Sequence, residues 1–404
     1  MKFDINNIDK SKWKKYRFDE IAKSISERVE PGETDLKVYV GLEHLDPESL
    51  HIKRTGTPSD VEGTKLKVYK GDVIFGKRRA YQRKAAIAHF DGICSAHALV
   101  LRANENVIEP QLFPFFLHSD YFMHRAIDIS VGSLSPTINW GTLRSQEFLL
   151  PPKGQQAELA ELFWAADDLS SKLEISNNRL NNLKLRYLQE IINPNLPQDE
   201  LQQTIFGLIP KSWSVKKVTE VSDVEYGISD AVANNNDSTI GCPILTGANI
   251  NIDGTLNIDN LVFYETPTKE RFLLKKGDLL FNWRSGSPFH VGKTAYFDLN
   301  GVYTYASFVL KIRAKKDFDS RFGWYLFNYL RGIEYFTKGT SQQVNFKLNA
   351  TVFREVELPI PPIGEQKEYA EKLENMRLNY LKNDSFKNST DLLKKELINQ
   401  IFSE

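Results

Sequence analysis

The decamer KGDVIFGKRR at positions 70–79 returns in altered form as KGDLLFNWRS at positions 276–285. Both copies read Lys-Gly-Asp, then three apolar residues ending in Phe, then polar and basic residues. A short apolar run bounded by Gly and Asp is typical of a β-strand that follows a turn. The same local structure is therefore expected twice in one chain.

The repeat extends far beyond the decamer. Four further pairs of segments keep the same order, at offsets between 206 and 211 residues, as loop insertions would produce. A repeat unit of about two hundred residues is far longer than a solenoid repeat, so it predicts two whole related domains. The pairs are VYVGLEHLD (38–46) with PILTGANIN (243–251), SAHALVLRA (95–103) with SFVLKIRA (307–314), VGSLSPTIN (131–139) with KGTSQQVN (338–345), and LPPKGQQ (150–156) with IPPIGEQ (360–366).

Each repeat begins with a mixed α+β domain. KVYVGLEHL, DVIFG, AAIAHF and ALVLRA are β-branched and aromatic runs between Gly, Asp or Asn, which predicts strands. Residues 110–130 and 321–338 carry apolar side chains at helical spacing, which predicts a helix or two in each domain.

Each repeat ends in a long helix with a coiled-coil pattern. In the first helix the predicted apolar seam has a period of 3.5 residues, and Pro152 and Pro194 bracket the helix. In the second helix the seam weakens over 382–390, which predicts a break or bend near Asp384. The predicted seam positions are 159, 162, 166, 169, 173, 176, 180, 183 and 187 in the first helix, and 369, 373, 376, 380, 393, 397 and 401 in the second.

Two amphipathic helices of this length are expected to pack on each other, because neither is stable alone in water. Antiparallel packing would give both domains equivalent places about a pseudo-twofold axis. The sequence therefore predicts an α+β fold with two tandem related domains and two long antiparallel coiled-coil helices. The predicted segments are a first α+β domain at 1–152, a central long helix at 153–193, a second α+β domain at 194–362 and a C-terminal long helix at 363–404.

Composition restricts the class of protein. The 52 basic and 52 acidic residues cancel, so the chain as a whole has no excess positive charge for DNA. Two cysteines are too few for a disulfide framework and favour a reducing compartment. The sequence shows neither a secretory signal nor a bilayer-length apolar run, so we expect a cytoplasmic location.

These features together resemble the specificity subunit of Type I restriction–modification enzymes. The resemblance covers nearly the whole chain, and its most specific marks are LPPKGQQAELA (150–160), IPPIGEQKEYA (360–370) and the paired decamers. It implies two target recognition domains, each reading half of a split sequence in double-stranded DNA, and a helical spacer that docks two methyltransferase subunits. Restriction and motor subunits are further implied partners. S-adenosylmethionine, ATP and Mg²⁺ are then expected on the partner subunits, and no cofactor in this chain.

The segment after each decamer is the first candidate for DNA contact. GKRRAYQRK (76–84) offers arginine for guanine, glutamine for adenine and lysine for phosphate, whereas NWRSGSPFHVGK (282–293) keeps the frame and changes the side chains. Domains that read different half-sites need such a difference, although a solvated turn with ordinary surface charge is the alternative interpretation. The candidates are Lys77, Arg78, Arg79, Tyr81, Gln82, Arg83 and Lys84, with Asn282, Trp283, Arg284, Ser285, Ser287, His290 and Lys293.

A second polar stretch is also repeated. GSLSPTINWG (132–141) and GTSQQVNFKLN (339–349) are Gly-led and rich in hydrogen-bonding side chains, which can reach phosphates and base edges or cap the next segment. The further candidates are Ser133, Ser135, Thr137 and Asn139, with Ser341, Gln342, Gln343 and Asn345.

Motifs for catalysis are not recognisable in the sequence. It has neither a Gly-x-x-x-x-Gly-Lys-Ser/Thr phosphate loop nor the Asn-Pro-Pro-Tyr or Asp-Pro-Pro-Tyr of amino-methyltransferases. His89, Cys94 and His97 form only a weak metal motif that the second copy does not repeat, so we expect no metal and no catalysis by the chain itself. Two alternatives stay open: a duplicated scaffold whose lobes bind peptides or sugars, and an enzyme with its site between the lobes.

Overall fold

The computed structural model describes residues 9–229, 238–239, 241–267, 269–336 and 346–403. The chain divides into two compact units, of which the first contains residues 1–176 and 383–404 and the second contains residues 177–382. Each unit combines one strand-rich lobe with parts of the same two long helices. Both ends of the chain therefore contribute to the first unit.

The first lobe contains two four-stranded sheets and a pair of strands that joins its two ends. The first sheet has the antiparallel order β2-β9-β6-β7, and the second has the order β3-β5-β8-β4 with β4 parallel to β8. The strands are β1 (Lys14–Arg17), β2 (Ala22–Ile25), β3 (Arg28–Val29), β4 (Tyr39–Val40), β5 (Lys65–Val68), β6 (Val73–Gly76), β7 (Ala85–Ile87), β8 (Gly92–Cys94), β9 (Ala98–Ala103) and β10 (Glu147–Leu150). The helices are α1 (Phe18–Ile21), α2 (Phe113–His118), α3 (Asp120–Asp128), α4 (Trp140–Leu143) and the start of the long helix α5 (Lys153–Ile192).

The second lobe repeats the main sheet of the first, but its second sheet has three strands in the order β16-β15-β20. Its main sheet has the order β14-β21-β17-β19, which corresponds strand by strand to the first sheet of the other lobe, and β15 is again parallel to β20. The strands are β11 (Leu201–Thr204), β12 (Gly207–Pro210), β13 (Ser214–Lys217), β14 (Ser222–Tyr226), β15 (Cys242–Leu245), β16 (Val262–Tyr264), β17 (Leu279–Asn282), β18 (Arg284–Ser285), β19 (Thr294–Tyr296), β20 (Thr304–Tyr305), β21 (Val309–Ala314), β22 (Phe346–Lys347) and β23 (Glu357–Ile360). The helices are α6 (Val218–Val221), α7 (Ser320–Gly332), α8 (Ala350–Arg354) and the long α9 (Ile363–Ile401). The predicted internal repeat of two α+β domains is confirmed.

The apolar triplet of each decamer lies between two cores. In β6, Val73 and Phe75 face the core that contains α2 and α3, whereas Ile74 faces the core shared with β4 and β8. Leu280 of β17 likewise faces the opposite core from its two neighbours. Successive strand residues point to opposite faces, so a strand buried on both sides is apolar throughout.

The Lys-Gly-Asp that precedes each triplet forms a turn closed by an ion pair between a buried aspartate and a partly exposed arginine. Asp72 is buried and accepts two hydrogen bonds from Arg102 on β9, at 2.7 and 2.9 Å. Asp278 accepts the same two bonds from Arg313 on β21, both at 2.7 Å. Gly71 has a φ of 95°, a conformation that glycine adopts without a steric penalty. The decamer is thus repeated because both lobes use the same turn, the same clamp and the same central strand.

The two long helices pack antiparallel within the first unit. Asp167 of α5 contacts Lys394 of α9, and Ser176, further along α5, contacts Asn383, which lies earlier in α9. The predicted helices and their orientation are confirmed, but the predicted seam is wrong for much of α5. Leu169 and Leu183 of the predicted seam are 38% and 51% exposed. The buried stripe of α5 lies one residue further along and includes Phe163, Asp167, Ser170, Asn177 and Leu188.

No break occurs at Asp384, since α9 is helical without interruption from Ile363 to Ile401. The prediction failed because the contact face continues there with charged side chains. Lys387 pairs with Asp391 at 2.8 Å, and Lys394 pairs with Asp167 at 2.8 Å. The Lys394–Asp167 pair, which is largely shielded from solvent, joins the two helices in place of a leucine contact, whereas Lys387 and Asp391 pair within α9.

The glutamine of each Pro-Pro junction fixes a long helix to its lobe. Gln156 is buried, accepts a hydrogen bond from the Glu109 amide and donates to the carbonyls of Val107 and Pro151. Gln366 is buried in the same way, with the Asp319 amide as its donor and the carbonyls of Asp317 and Pro361 as its acceptors. The junction motif is therefore structural in both lobes.

Candidate nucleic-acid interface

The basic segment of the first lobe leaves β6 as a rigid turn. Residues Ala80–Gln82 form one turn of 3-10 helix, flanked by Arg79 and Arg83 with φ values of 55° and 51°. Left-handed backbone at a residue other than glycine costs on the order of 1 kcal/mol, so other contacts must hold it in place. Arg83 supplies them, because its guanidinium donates to Asp120 and to the His118 carbonyl.

The two polar stretches predicted for this lobe lie side by side. The Arg79 amide donates to the Pro136 carbonyl at 2.7 Å, and the Ile138 amide donates to the Lys77 carbonyl at 2.9 Å. Arg78 Nε donates to Ser135 Oγ at 2.8 Å. The basic turn and the Gly-led loop thus form one surface, although about fifty residues separate them in sequence.

The candidates of the first lobe divide into outward and inward groups. Arg78, Arg79 and Tyr81 are exposed, as are Ser133 and Asn139 of the loop. Gln82, Ser135 and Thr137 are half-buried beside them. The inward group donates to the protein itself: Arg83 as described above, and Lys84, whose Nζ donates to the Leu42 carbonyl at 2.7 Å. Lys77 is half-buried, and burial lowers the pKa of its ammonium group.

Several candidates of the second lobe support its backbone. Asn282 is buried and donates to the His290 carbonyl, while Trp283 Nε1 donates to the Ser307 carbonyl at 2.6 Å. Lys293 is buried and donates to the carbonyls of Gly247 and Ile250, and burial lowers the pKa of this lysine. Lys293 therefore repeats the role of Lys84, because both lysines fasten the end of the turn to the loop after a parallel strand.

The remaining candidates of the second lobe reach solvent. Arg284 lies over the Phe308 ring at 4.8 Å, and its strand β18 pairs with β22. Ser285 and Ser287 are half-buried next to it, and His290 is exposed. Ser341, Gln342, Gln343 and Asn345 lie outside the described residues.

Sequence reasoning missed the apolar members of these surfaces. Leu134 is 93% exposed at the tip of the Gly-led loop, Val131 is 67% exposed beside it, and Phe289 is 73% exposed on the turn of the second lobe. Charge and hydrogen-bonding capacity guided the prediction, so apolar side chains were passed over. An aromatic residue at matching places in the two turns, Tyr81 and Phe289, was the signal that could have found one of them.

Within the part of the chain that the structure describes, His, Cys, Asp and Glu side chains nowhere gather in threes in a way that could hold a metal ion. No helix among the described residues is both long and apolar enough to cross a bilayer.

The family comparison decides the identity of the two lobes. A model described as "Type I restriction modification DNA specificity domain" matches the chain twice, at residues 10–185 and 210–395. The chain belongs to this family. Each matched segment contains one lobe and part of a long helix, so each copy of the specificity domain corresponds to one sequence repeat. The chain accordingly serves as a DNA-specificity component of a Type I restriction–modification system.

Individual relatives agree with the specificity-domain assignment. The chain is 22% identical over 356 residues to a putative type I restriction enzyme MjaX specificity subunit of Methanocaldococcus jannaschii, covering 82% of this chain and 78% of the relative. It is 28% identical over 179 residues to the type I restriction enzyme EcoDI specificity subunit of Escherichia coli, covering 42% and 39% of the two chains.

Solved structures share the fold of this specificity-domain protein. The type I restriction-modification system S subunit from M. genitalium matches with a TM-score of 0.63 at 13% identity, covering 99% of this chain and 97% of that one. A chain from work on complex assembly and conformational transition of the type I R-M system matches with a TM-score of 0.59 at 20% identity, covering 96% and 97%.

Proposed function

We propose that this specificity subunit selects a bipartite target in double-stranded DNA, with one half-site read by each lobe. The observation that carries the proposal is that the two lobes share one backbone arrangement but expose different side chains on it. In both lobes an Asp–Arg clamp closes the turn before the central strand, and a buried or half-buried lysine fastens the end of the turn after it. After that strand both lobes present an arginine at the same decamer position, Arg78 and Arg284, but the first lobe adds Arg79 whereas the second adds Ser287 and His290.

The proposed contacts are the outward side chains. Arginine and glutamine can pair with base edges, and hydroxyl groups can donate to phosphate oxygens. The inward candidates Lys77, Arg83, Lys84, Asn282, Trp283 and Lys293 then position the surface without reaching DNA, and the segment 341–345 stays a prediction. The contact set is Arg78, Arg79, Tyr81, Gln82, Ser133, Ser135, Thr137 and Asn139 in the first lobe and Arg284, Ser285, Ser287 and His290 in the second.

The two long helices are proposed to set the gap between half-sites and to dock two methyltransferase subunits. Large apolar side chains remain exposed on both helices, which is unusual for a surface that faces only water. Catalysis belongs in this proposal to the methyltransferase and restriction–motor subunits, which would bring S-adenosylmethionine, ATP and Mg²⁺. The exposed side chains are Leu169, Ile175, Leu183 and Leu185 on α5 and Leu378, Leu381, Phe386, Leu392 and Leu393 on α9.

The test is a map of methylated bases. The chain is expressed with its methyltransferase partner in a host without DNA methylation, and modified bases are read across the genome. We expect a split motif with two short specific halves around a fixed unspecific gap. Replacing residues 70–150 by the equivalent segment of a relative should change one half only.

Two outcomes would contradict the proposal. A stable complex that modifies no DNA would leave a duplicated scaffold as the better interpretation. A continuous motif, or a motif whose two halves both change when only one lobe is exchanged, would overturn the assignment of one half-site to each lobe.

A further inference from the structure

The recognition surfaces of the two lobes share one feature that is not polar. Tyr81 is the middle residue of the 3-10 turn Ala80–Gln82, and Phe289 is the middle residue of the 3-10 turn Pro288–His290. Their side chains are 54% and 73% exposed. An exposed ring is common on protein surfaces, but an exposed ring at the same place in two otherwise different turns requires an explanation.

The two turns are equivalent by topology. The first connects β6 to β7, and the second lies between β17 and β19, which hold the same places in their sheets. The same backbone bond closes both, from Gly76 N to Lys84 O and from Asn282 N to Lys293 O, each at 2.8 Å. The rings therefore occupy corresponding positions in the two lobes.

Both turns are held rigidly at the base and left free at the tip. Lys84 fastens the first turn and Lys293 the second. Asn282 Nδ2 also donates to the His290 carbonyl at 2.8 Å, directly after Phe289. A rigid base lowers the entropy lost when the tip meets a ligand, so the arrangement suits contact better than it suits packing within the lobe.

Charge around the tips indicates the kind of ligand. Arg78 and Arg79 are exposed next to Tyr81, and His290 is exposed next to Phe289. Tyr81 also borders Glu43, Asp46 and Glu48, of which Asp46 pairs with Arg54 and Glu48 pairs with Arg83 and Lys395. A ring beside cationic and hydrogen-bonding groups suits a ligand that carries phosphates outside and flat apolar groups inside. Proteins insert apolar side chains between base steps, and aromatic rings stack on bases with little preference among them.

We propose that Tyr81 and Phe289 are the apolar contacts of the two recognition surfaces, each inserted against a base step of its own half-site. The inference rests on the proposed function, because it requires that these surfaces bind duplex DNA. Specificity at such a position comes from how readily the step unstacks, which differs between sequences. Each lobe would then combine direct readout by polar side chains with a deformation sensed by one ring.

The test uses the assembled complex with its methyltransferase and a duplex that carries the mapped target. Tyr81→Ser and Phe289→Ser should each weaken binding roughly tenfold at every salt concentration, since base stacking contributes without releasing counterions. Tyr81→Phe and Phe289→Tyr keep a ring and should retain most of the affinity that the Ser variants lose. Ile205→Ser, which removes a 64% exposed apolar side chain from the β11–β12 hairpin, is the matched control and should change nothing.

A fluorescent base assigns each ring to a half-site. 2-Aminopurine placed at successive steps should brighten on binding at one step in each half, and Tyr81→Ser should abolish the signal in one half while Phe289→Ser abolishes it in the other. The inference would be overturned if the Ser variants bound the duplex as tightly as the unaltered complex does, or if one variant abolished the signal in both halves. Failure of the unaltered complex to bind the duplex would instead contradict the proposed function itself.

Discussion

At the residue scale, the most informative groups are those that the repeat keeps. The Asp and Arg of the clamp are far apart in sequence, and only the paired strands bring them together: β6 with β9, and β17 with β21. Asp72 is 1% exposed, and a carboxylate at that depth needs a partner to offset its lost hydration. The Asp–Arg pair is thus required for the stability of the lobe, unlike an ion pair on the surface.

Removal of the cation from the first clamp should destabilise its lobe. We expect Arg102→Leu to lower the free energy of unfolding by about 2–3 kcal/mol, because Asp72 is left buried without its partner. The measurement is the urea concentration at which the buried thiol of Cys94 becomes accessible to a labelling reagent.

A matched control exists on the surface of the same lobe. Arg17→Leu removes a pair with Asp19 in which the arginine is 53% exposed, and it should cost less than about 1 kcal/mol. The double variant Asp72→Asn with Arg102→Leu should recover part of the loss. Equal effects of the two arginine variants would show that the clamp contributes no more than a surface pair.

At the element scale, the long helices show where sequence patterns succeed and where they mislead. Their existence follows from apolar periodicity and from the flanking prolines, and their antiparallel orientation follows from the equivalence of the two duplicated domains. Their contact face does not, because Asp167 and Lys394 read as surface residues in sequence and are nevertheless 8% and 19% exposed. Conversely, Leu392 reads as buried by type and is 58% exposed. Only the neighbouring helix and lobe decide which stripe is covered.

The glutamine at each junction should be more important than its polarity suggests. Gln366→Leu removes hydrogen bonds from three backbone groups, of which the Pro361 carbonyl is buried and those of Asp317 and Asp319 are partly buried, and we expect a loss of about 2–4 kcal/mol from the second lobe. Labelling of the buried Cys242 thiol in urea reports this lobe. Gln189→Leu, at an exposed position of α5, is the control, and an equally small effect of both variants would contradict a structural role for the junction.

The helix pair should also have a defined response to acid. Burial favours the protonated form of Asp167, but hydrogen bonds from His51 and Lys394 outweigh it and hold the pKa of this carboxyl below its usual value. A lowered pKa gives stability that is present above the unfolded pKa, near 3.9, and is lost as the pH falls through the folded pKa.

Asp167→Asn should therefore reduce stability at neutral pH and flatten its decline in acid. The unfolding midpoint of the first lobe, measured from pH 7 downwards, tests this expectation. Asp168→Asn is the neighbouring control, because Asp168 is 61% exposed and pairs only with Lys172 among the described contacts. A decline in acid that is as steep in Asp167→Asn as in the unaltered chain would refute the assignment.

At the scale of the whole molecule, the first unit is assembled from both ends of the chain. Ile398, Ile401 and Phe402 lie in the core of the first lobe, where the Phe402 ring centre is 5.4 Å from that of Phe116. Asn399 adds hydrogen bonds to Asp120. A lobe near the start of the sequence thus depends on the last helix.

Deletion of residues 383–404 should open the first lobe and spare the second. Each unit contains one buried cysteine, and burial raises the pKa of Cys94 to about 12, so its thiol is inert while the lobe is folded. We expect the labelling rate of Cys94 to rise roughly tenfold or more, as the loss of large core side chains implies, while Cys242 stays protected. Phe402→Ala should give a smaller change of the same kind, and equal protection of Cys94 in all three chains would be the contrary result.

The duplicated α+β architecture could be predicted because duplication supplies two readings of every motif. Three features could not be predicted in this way: the Asp–Arg clamp, the hydrogen bonds of the junction glutamines, and the burial of Lys84 and Lys293 when other candidates are exposed. The residue type alone does not distinguish a lysine that donates to a carbonyl of a distant loop from a lysine that faces solvent. Single-sequence patterns report side-chain chemistry, and burial depends on contacts between segments that lie far apart in the chain.

The charged stripe of the helix pair has a further consequence for errors of assembly. A leucine seam can slip by one turn and still place leucine against leucine. Here a shift of α9 by three residues in one direction would place Asp391 opposite Asp167, so that two carboxylates would face each other. A shift by three residues in the other direction would place Leu397 there, which leaves Asp167 without its lysine. The sign of the charges thus specifies the register of the two helices, and shifted registers are disfavoured.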